Sequence, residues 1–308
     1  MKNNNFISES IDEPFDILDI FRILIGGKWI IACATISVSI IAIIYSLSLP
    51  NIYQSKAILV PVNSSSSISG ALQSYSSVAS LVGVSLPSED GDSNSVQAIE
   101  KLGSLSFFKN DVLSAIFLPN LMAIKSWDHN SNKLFYDESA YNTSTNSWVR
   151  DFSYPKKQVP SAQEAFEVFK THLSIGEDTN TGFISISIKH QSPYIAKNWT
   201  DLVISKINAY YRQKDKLEAL KAIDYLKNQI AVTNISEIKQ VMAELLQKET
   251  QKLTLMEANE YYVFEYIDPP VIMEKKSEPK RSLICIFGSF LGFMIGAILV
   301  LIRFYRSR

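Results

Sequence analysis

Apolar and polar residues are distributed along this chain in three blocks. Two uncharged apolar runs lie near its ends: Trp29–Leu49 (WIIACATISVSIIAIIYSLSL) and Leu283–Ile302 (LICIFGSFLGFMIGAILVLI). A helix rises 1.5 Å per residue, so about 20 apolar residues cross a hydrocarbon core of roughly 30 Å. With no charge to desolvate and every backbone group satisfied inside a helix, both runs predict transmembrane helices. A core helix seldom stays apolar on all sides over such a length. A signal peptide would begin closer to the N-terminus and end at a small-residue cleavage site, where Ser-Leu-Pro stands instead.

The block between them is polar with local periodicities. Tyr53–Val62 (YQSKAILVPV) predicts a strand directly after the first span. The Ser-rich stretch 63–95 predicts a loop holding an apolar island at Val78–Leu86. Val96–Phe117 carries helical spacing through Ile99, Leu102, Leu105, Val112 and Ile116. From Pro119 to Pro160 the pattern is irregular, anchored by Trp127, Phe135 and Trp148. A short helix (Ser161–His172) follows, with Ser161 and Glu164 spaced as a capping box. Gly182–His190 (GFISISIKH) alternates cleanly, predicting Ile184, Ile186 and Ile188 on a buried face and Ser185, Ser187 and Lys189 in water. Pro193 then opens a long helix over Tyr194–Ala231, about 57 Å, striped by Ala219, Ile223, Leu226 and Ile230. Asn234 and Glu237 predict the cap of a second helix through Ile238, Leu245 and Met256, either a hairpin with the first or its bent continuation. Narrow stripes on long charged helices seek partner helices, so oligomerisation is expected. Tyr262–Ile267 predicts a strand returning beside the first one.

These elements make an α+β fold class, with two transmembrane helices flanking one domain. The expected boundaries are 1–28 for an N-terminal tail, 29–49 for the first span and 50–190 for an α/β base region. They continue with 191–261 for the long helices, 262–282 for the return strand and proline-rich connector, 283–302 for the second span and 303–308 for a C-terminal tail.

Charge refines this picture. The whole chain carries −1. Acidic residues outnumber basic ones in the N-terminal tail, the C-terminal tail holds Arg303, Arg306 and Arg308, and the middle is slightly acidic. No basic surface is implied, and a nucleic-acid partner lacks its electrostatic footing. Arg22, Lys28 and the terminal arginines favour cytoplasmic tails, while a long loop translocates largely regardless of its charge, so the domain is expected outside the cytoplasm. The two cysteines, Cys33 and Cys285, lie in the spans, leaving the domain without a disulfide. His129, His172 and His190 are far apart in sequence, and no G-x-S-x-G elbow occurs. No catalytic, cofactor-binding or metal-binding residues are assigned, and the protein is read as not an enzyme.

The candidate site residues fall at the second span. Asp268–Arg281 (DPPVIMEKKSEPKR) holds Pro269, Pro270 and Pro279, which make an extended, stiff connector, and ends in Lys280 and Arg281; its lysines can meet lipid headgroups. Gly288, Gly292 and Gly296 fall every four residues along the span, a small-residue groove in which another helix can approach closely.

In order and spacing, FDILDIFRILIGGKWI, LPNIYQSKAILVPV, TGFISISIKHQSPYIAKNW, YYVFEYIDPPVIMEKKSEPKR and the glycine-spaced span resemble the Wzz-type polysaccharide chain-length determinants, or polysaccharide co-polymerases, across nearly the whole chain. The resemblance implies a two-pass inner-membrane protein of Gram-negative bacteria with both termini cytoplasmic. It implies a periplasmic domain with a membrane-proximal α/β base and long protruding helices. Its implied partners are itself, as a ring-like homo-oligomer, a Wzy-type polymerase, the growing lipid-linked polysaccharide and membrane lipids. Its implied role is non-catalytic control of the modal length of O-antigen or a related glycan. The glycine face is expected to meet the polymerase or a neighbouring subunit. Some relatives carry a fused tyrosine kinase; no G-x-x-x-x-G-K-[ST] occurs here, so none is expected, and a separate kinase partner stays open. An export component of capsule or exopolysaccharide secretion is the nearest alternative. A two-span sensor is more distant, because it needs a cytoplasmic signalling module.

Overall fold

The computed structural model describes residues 24–62 and 91–306. The expected N-terminal tail to residue 23, the Ser-rich loop up to residue 90 with its apolar island, and the last two residues lie outside these. Among the described residues the chain forms α1 (Lys28–Ser48), β1 (Tyr53–Pro61), α2 (Gly91–Leu102), α3 (Leu118–Met122), β2 (Ile124–Asp128), β3 (Lys133–Tyr136), β4 (Tyr141–Asn142), β5 (Ser147–Trp148), α4 (Ala162–His172), β6 (Leu173–Glu177), β7 (Ile184–His190), α5 (Pro193–Val232), α6 (Ser236–Ala258), β8 (Phe264–Asp268) and α7 (Arg281–Arg306). Among the described residues two compact units result: 24–51 with 278–306, and 52–62 with 91–277.

The larger unit is α+β. Its antiparallel sheet has the order β6–β7–β1–β8, so the return strand does lie beside the first. Ala57 pairs with Ile186 and Leu59 with Ile184, bringing the branched residues of two central strands to one face. Phe107, Phe108, Phe166, Phe169, Trp199, Val203, Ile204 and Ile207 close the core over them. The opposite face departs from the expected open polar surface: Ser187 is buried, because Gln54 Nε2 crosses from β1 to donate to its hydroxyl (2.8 Å).

Two further predictions change in detail. The helix expected over Val96–Phe117 breaks at Gly103, and Ser104, in extended conformation, accepts from the Phe107 amide to start a new turn. That turn passes into a π-helix at Phe108–Val112 and a 3₁₀ turn at Leu113–Ala115, leaving Ile116 extended. The capping box of α4 is present as expected, with Ser161 accepting from the Glu164 amide. The cap of α6 is displaced: Ile235 stands at the N-cap without a side-chain bond, so Asn234 lies one position outside the helix and cannot cap it.

α5 runs for 40 residues, about 60 Å. Pro193 occupies its first turn, where the missing N–H costs nothing. Its first half packs on the sheet through Ala196, Trp199, Val203, Ile204 and Ile207, while Ala219 and Ile223 are buried further along. α6 folds back antiparallel, making a hairpin: Arg212 Nη2 donates to the carbonyls of Asn259 (2.8 Å) and Glu260 (2.6 Å), and Lys216 pairs with Glu257. The root of the hairpin is a buried polar lock. Asn208 accepts from the amides of Val263 (2.8 Å) and Phe264 (2.9 Å) and donates to the Phe264 carbonyl (3.0 Å), serving β8 as a strand edge would. Tyr262 donates to Asp215 (2.5 Å), and burial with this carboxylate raises the phenol pKa above its ordinary value.

Candidate functional site: the span pair and its connector

The smaller unit is a helix pair. α1 and α7 are both long and apolar enough to cross a membrane, as a two-span membrane protein requires. α7 extends beyond the expected 283–302 at both ends, because Arg281, Arg303 and Arg306 are taken into the helix.

The three predicted glycines all face α1 of the same chain. A Cβ at Gly288 would lie 2.4 Å from the Ala42 Cβ; at Gly292, 2.9 Å from the Thr35 Cα; at Gly296, 2.8 Å from the Ile31 Cα. At Gly292 and Gly296 these are approaches to the α1 backbone, at Gly288 to the Ala42 methyl, and they run antiparallel down the seam. Their occupant is thus α1, where the sequence had suggested a polymerase or a neighbouring subunit. Sequence reasoning missed the other half of the seam. Gly27 lies against Val300, with a Cβ 2.4 Å from its Cγ2, and Ala34 and Ala42 receive α7. The signal was there: Gly27, Ala34 and Ala42 repeat at intervals of seven and eight, the period of one face of a helix. Between the Gly288 and Gly292 contacts the hydroxyls of Ser39 and Ser289 bond at 2.9 Å, and Ser289 also donates to the Cys285 carbonyl (2.9 Å).

The connector forms no helix, and it is strapped down. Ser55 Oγ donates to the Val271 carbonyl (2.8 Å), and Ser277 donates through both N and Oγ to the Ile52 carbonyl (2.8 and 3.1 Å). Pro269 is exposed, Pro270 buried and Pro279 half-buried. Lys280 is exposed, and Arg281 donates from Nε to the Ser46 carbonyl (3.2 Å) and from Nη2 to Asn51 Oδ1 (3.1 Å), closing the last turn of α1.

The histidines form no ligand set, although two of them meet in space: the rings of His172 and His190 are 6.3 Å apart. His190 is 1% exposed, and both its nitrogens are committed, Nδ1 accepting from the Ser192 amide (2.9 Å) and Nε2 facing the Asn120 carbonyl (3.0 Å). Burial pulls its pKa down to about 4, so it is neutral, with the proton on Nε2. No group of three or more His, Cys, Asp or Glu side chains that could hold a metal occurs among the described residues.

A pair of membrane-length helices meeting along a glycine seam, with an α+β domain inserted between them in sequence, is compatible with a two-span membrane protein. Two family models place this chain more closely. Residues 13–107, which take in α1, β1 and α2, match "Chain length determinant protein" (Wzz). Residues 233–305, which take in α6, β8, the connector and nearly all of α7, match "G-rich domain on putative tyrosine kinase". The chain thus carries a segment that matches the Wzz chain length determinant domain and, separately, one that matches this G-rich domain. Two solved structures are similar. One is a full-length bacterial polysaccharide co-polymerase, with 14% identity, TM-score 0.41, and 95% of this chain and 98% of that one covered. The other is a fragment of the polysaccharide co-polymerase WzzB from Salmonella Typhimurium, with 13% identity, TM-score 0.31, and 74% and 100% covered. Among curated proteins none matches.

Proposed function

We propose that this protein is a non-catalytic inner-membrane regulator of surface polysaccharide chain length that acts with a Wzy-type polymerase. The observation that carries this reading is the pair of family matches at the two ends of the chain, falling on the elements that build the seam, the first strand and the strapped connector. Lys28, Arg303 and Arg306 gather at one end of the antiparallel span pair, which supports cytoplasmic termini and a periplasmic domain. A ring-like homo-oligomer is supported by α6: Met256 is its only buried residue, while Ile238, Val241 and Leu255 stay exposed, an apolar stripe suited to a second copy. Helices repeated around such a ring would offer the growing lipid-linked glycan an extended surface, and retention there would set when elongation stops.

Deleting the gene and resolving the surface glycan on a lipopolysaccharide gel tests the reading. Loss of the modal band, restored by the intact chain, is expected; an unchanged ladder overturns it. The second family match is described on putative tyrosine kinases and favours a second reading, a co-polymerase of capsule or exopolysaccharide export. A flippase and polymerase encoded nearby support the first reading, an ATP-driven exporter the second.

A further inference from the structure

Between β5 and α4 the chain makes a loop, 149–160, whose two ends are fixed and whose tip stands in water. At its start the Val149 amide donates to the Ala140 carbonyl (3.0 Å), and the preceding Trp148 packs on Tyr141. At its end Pro160 is buried and Ser161 caps α4. Arg150 closes the neck: Nη2 donates to the Lys157 carbonyl (2.6 Å), Nε to the Gln158 carbonyl (2.9 Å) and Nη1 to Glu164 (2.8 Å). Glu164 also completes the capping box, so loop and helix are held by one set of bonds. The tip itself is turned by the Lys156 amide, which donates to the Ser153 carbonyl (2.9 Å).

Every residue from Asp151 to Val159 is exposed, with Phe152 at 56%, Tyr154 at 96% and Val159 at 56%. A single exposed apolar side chain is ordinary. Rings on a clamped turn are different, because the clamp denies them the collapse onto neighbouring surface that a slack loop allows, and they remain as a patch. Hydrogen-bonding groups interleave with them: Asp151 is an acceptor, Ser153 both donor and acceptor, and Lys156 and Lys157 are cations. Lys156 acts on Glu164 only from beyond salt-bridge distance, and Lys157 has no carboxylate within that distance among the described residues.

We propose that this tip binds an acidic glycan. Phe152 and Tyr154 stack on pyranose rings, Asp151 and Ser153 bond sugar hydroxyls, and Lys156 and Lys157 pair with uronate carboxylates. The C–H bonds on the flat side of a pyranose are weakly positive and meet the negative face of an aromatic ring. Hydroxyls around that ring need both donors and acceptors nearby, and the interleaved tip offers both. An anionic bilayer would match the rings and lysines, but it would repel Asp151 and strip water from its carboxylate on insertion. The site rests on the polysaccharide reading, which supplies a glycan, and it names acidic sugars as the class and this loop as a contact.

Saturation-transfer NMR on the full-length chain in detergent tests the site, with hexagalacturonate and its methyl ester as probes. The two hexamers share a backbone and differ in charge. Transfer to the acid form is expected, with the ester bound about fivefold more weakly. Tyr154→Ala should weaken both by about fivefold. Lys156→Gln with Lys157→Gln should bring the acid form down to the ester and leave the ester unchanged. These substitutions keep the Lys157 carbonyl and the Arg150 bonds, so the loop stays closed. No transfer to the acid hexamer, or transfer that Tyr154→Ala leaves untouched, overturns the proposal. A changed oligomer mass in Tyr154→Ala overturns it too, making the tip a contact between copies. In a background without native cysteines, a dye on Tyr154→Cys that shifts blue in phosphatidylglycerol vesicles but not in phosphatidylcholine ones assigns the tip to an anionic membrane instead. Gene deletion that leaves the ladder unchanged strikes the polysaccharide reading whatever the hexamers do, whereas loss of the modal band with no hexamer binding strikes this site alone.

Discussion

The α1–α7 pair and the α5–α6 hairpin are both antiparallel helix pairs, and they are held by different means. In the seam the backbones come so close that a single Cβ at Gly292 would reach the Thr35 Cα and its carbonyl oxygen, at 2.9 and 3.2 Å. In the hairpin, α6 buries only Met256, and contact is made by long side chains such as Lys216 with Glu257. Lipid tails are as apolar as leucine, so burying leucine between spans gains nothing from the hydrophobic effect, and close van der Waals approach of small residues must supply the attraction. Water rewards apolar burial, yet the outer part of the hairpin takes little of it. The polar lock at Asn208, Asp215 and Arg212 fixes the root instead. The spans approach each other at backbone distance, whereas α6 leaves Ile238, Val241 and Leu255 exposed.

The largest expected effect comes from breaking the seam. Gly292→Leu must displace backbone on α1, because the obstructing atoms are the Thr35 Cα and carbonyl oxygen and the Val38 Cβ, none of which can swing away. Overpacking of this kind costs about 3 kcal/mol. Gly26→Leu, which meets nothing within 4 Å, is the matched control. In a background without native cysteines, Ser39→Cys and Ser289→Cys should cross-link readily, and Gly292→Leu should abolish the link while Gly26→Leu preserves it. Cross-linking unchanged by Gly292→Leu would mean that the seam is not what holds the pair.

That prediction touches the part of the molecule least legible from the sequence. The apolar runs, the alternation of Ile184, Ile186 and Ile188, the Ser161–Glu164 box and the return strand were all readable, because each is a local pattern written in one segment. The glycine spacing stated that some helix approaches closely, and nothing local stated which. The partner became visible only with Gly27, Ala34 and Ala42 placed opposite. Strand β6 (LSIGE) escaped notice because a short edge strand containing glycine has little alternation to read. The β2–β3 and β4–β5 hairpins hide for a similar reason. In β4–β5 the paired residues Tyr141 and Trp148 pack ring to ring at 5.2 Å, a contact that no simple period announces. Capping was misplaced at Asn234 because the turn before α6 is one residue longer than the box assumes.

Acid distinguishes the two units next. The seam lines its approach with glycines, alanines and hydroxyls, while α5 starts beside His190, whose Nδ1 accepts from the Ser192 amide. His190 has a folded pKa near 4 against an ordinary 6.5, chiefly through burial and further through His172. The unfolded chain therefore binds the extra proton first. Stability contributed by the neutral ring is fully present above about pH 6.5 and is lost as pH falls toward 4, by on the order of 3 kcal/mol in the limit. Thermal unfolding of the larger unit should drop over this window, and His190→Gln should flatten the drop. A slope identical in the variant would assign acid sensitivity elsewhere.

The smallest effect separates close approach from polar glue within the seam itself. Ser39→Ala removes the bond to Ser289, but Ser289 keeps its bond to the Cys285 carbonyl, so no buried donor is stranded. Hydrogen bonds between membrane helices average about 0.6 kcal/mol in double-mutant cycles, because the separated helices also find partners. The pair Ser39→Ala and Ser289→Ala, measured singly and together by reversible unfolding in bicelles, should give a coupling of that size, a fraction of the Gly292→Leu effect. A coupling that rivals the glycine substitution would reverse the order of forces, making the serine bond the fastening and the glycines only the clearance that lets it form.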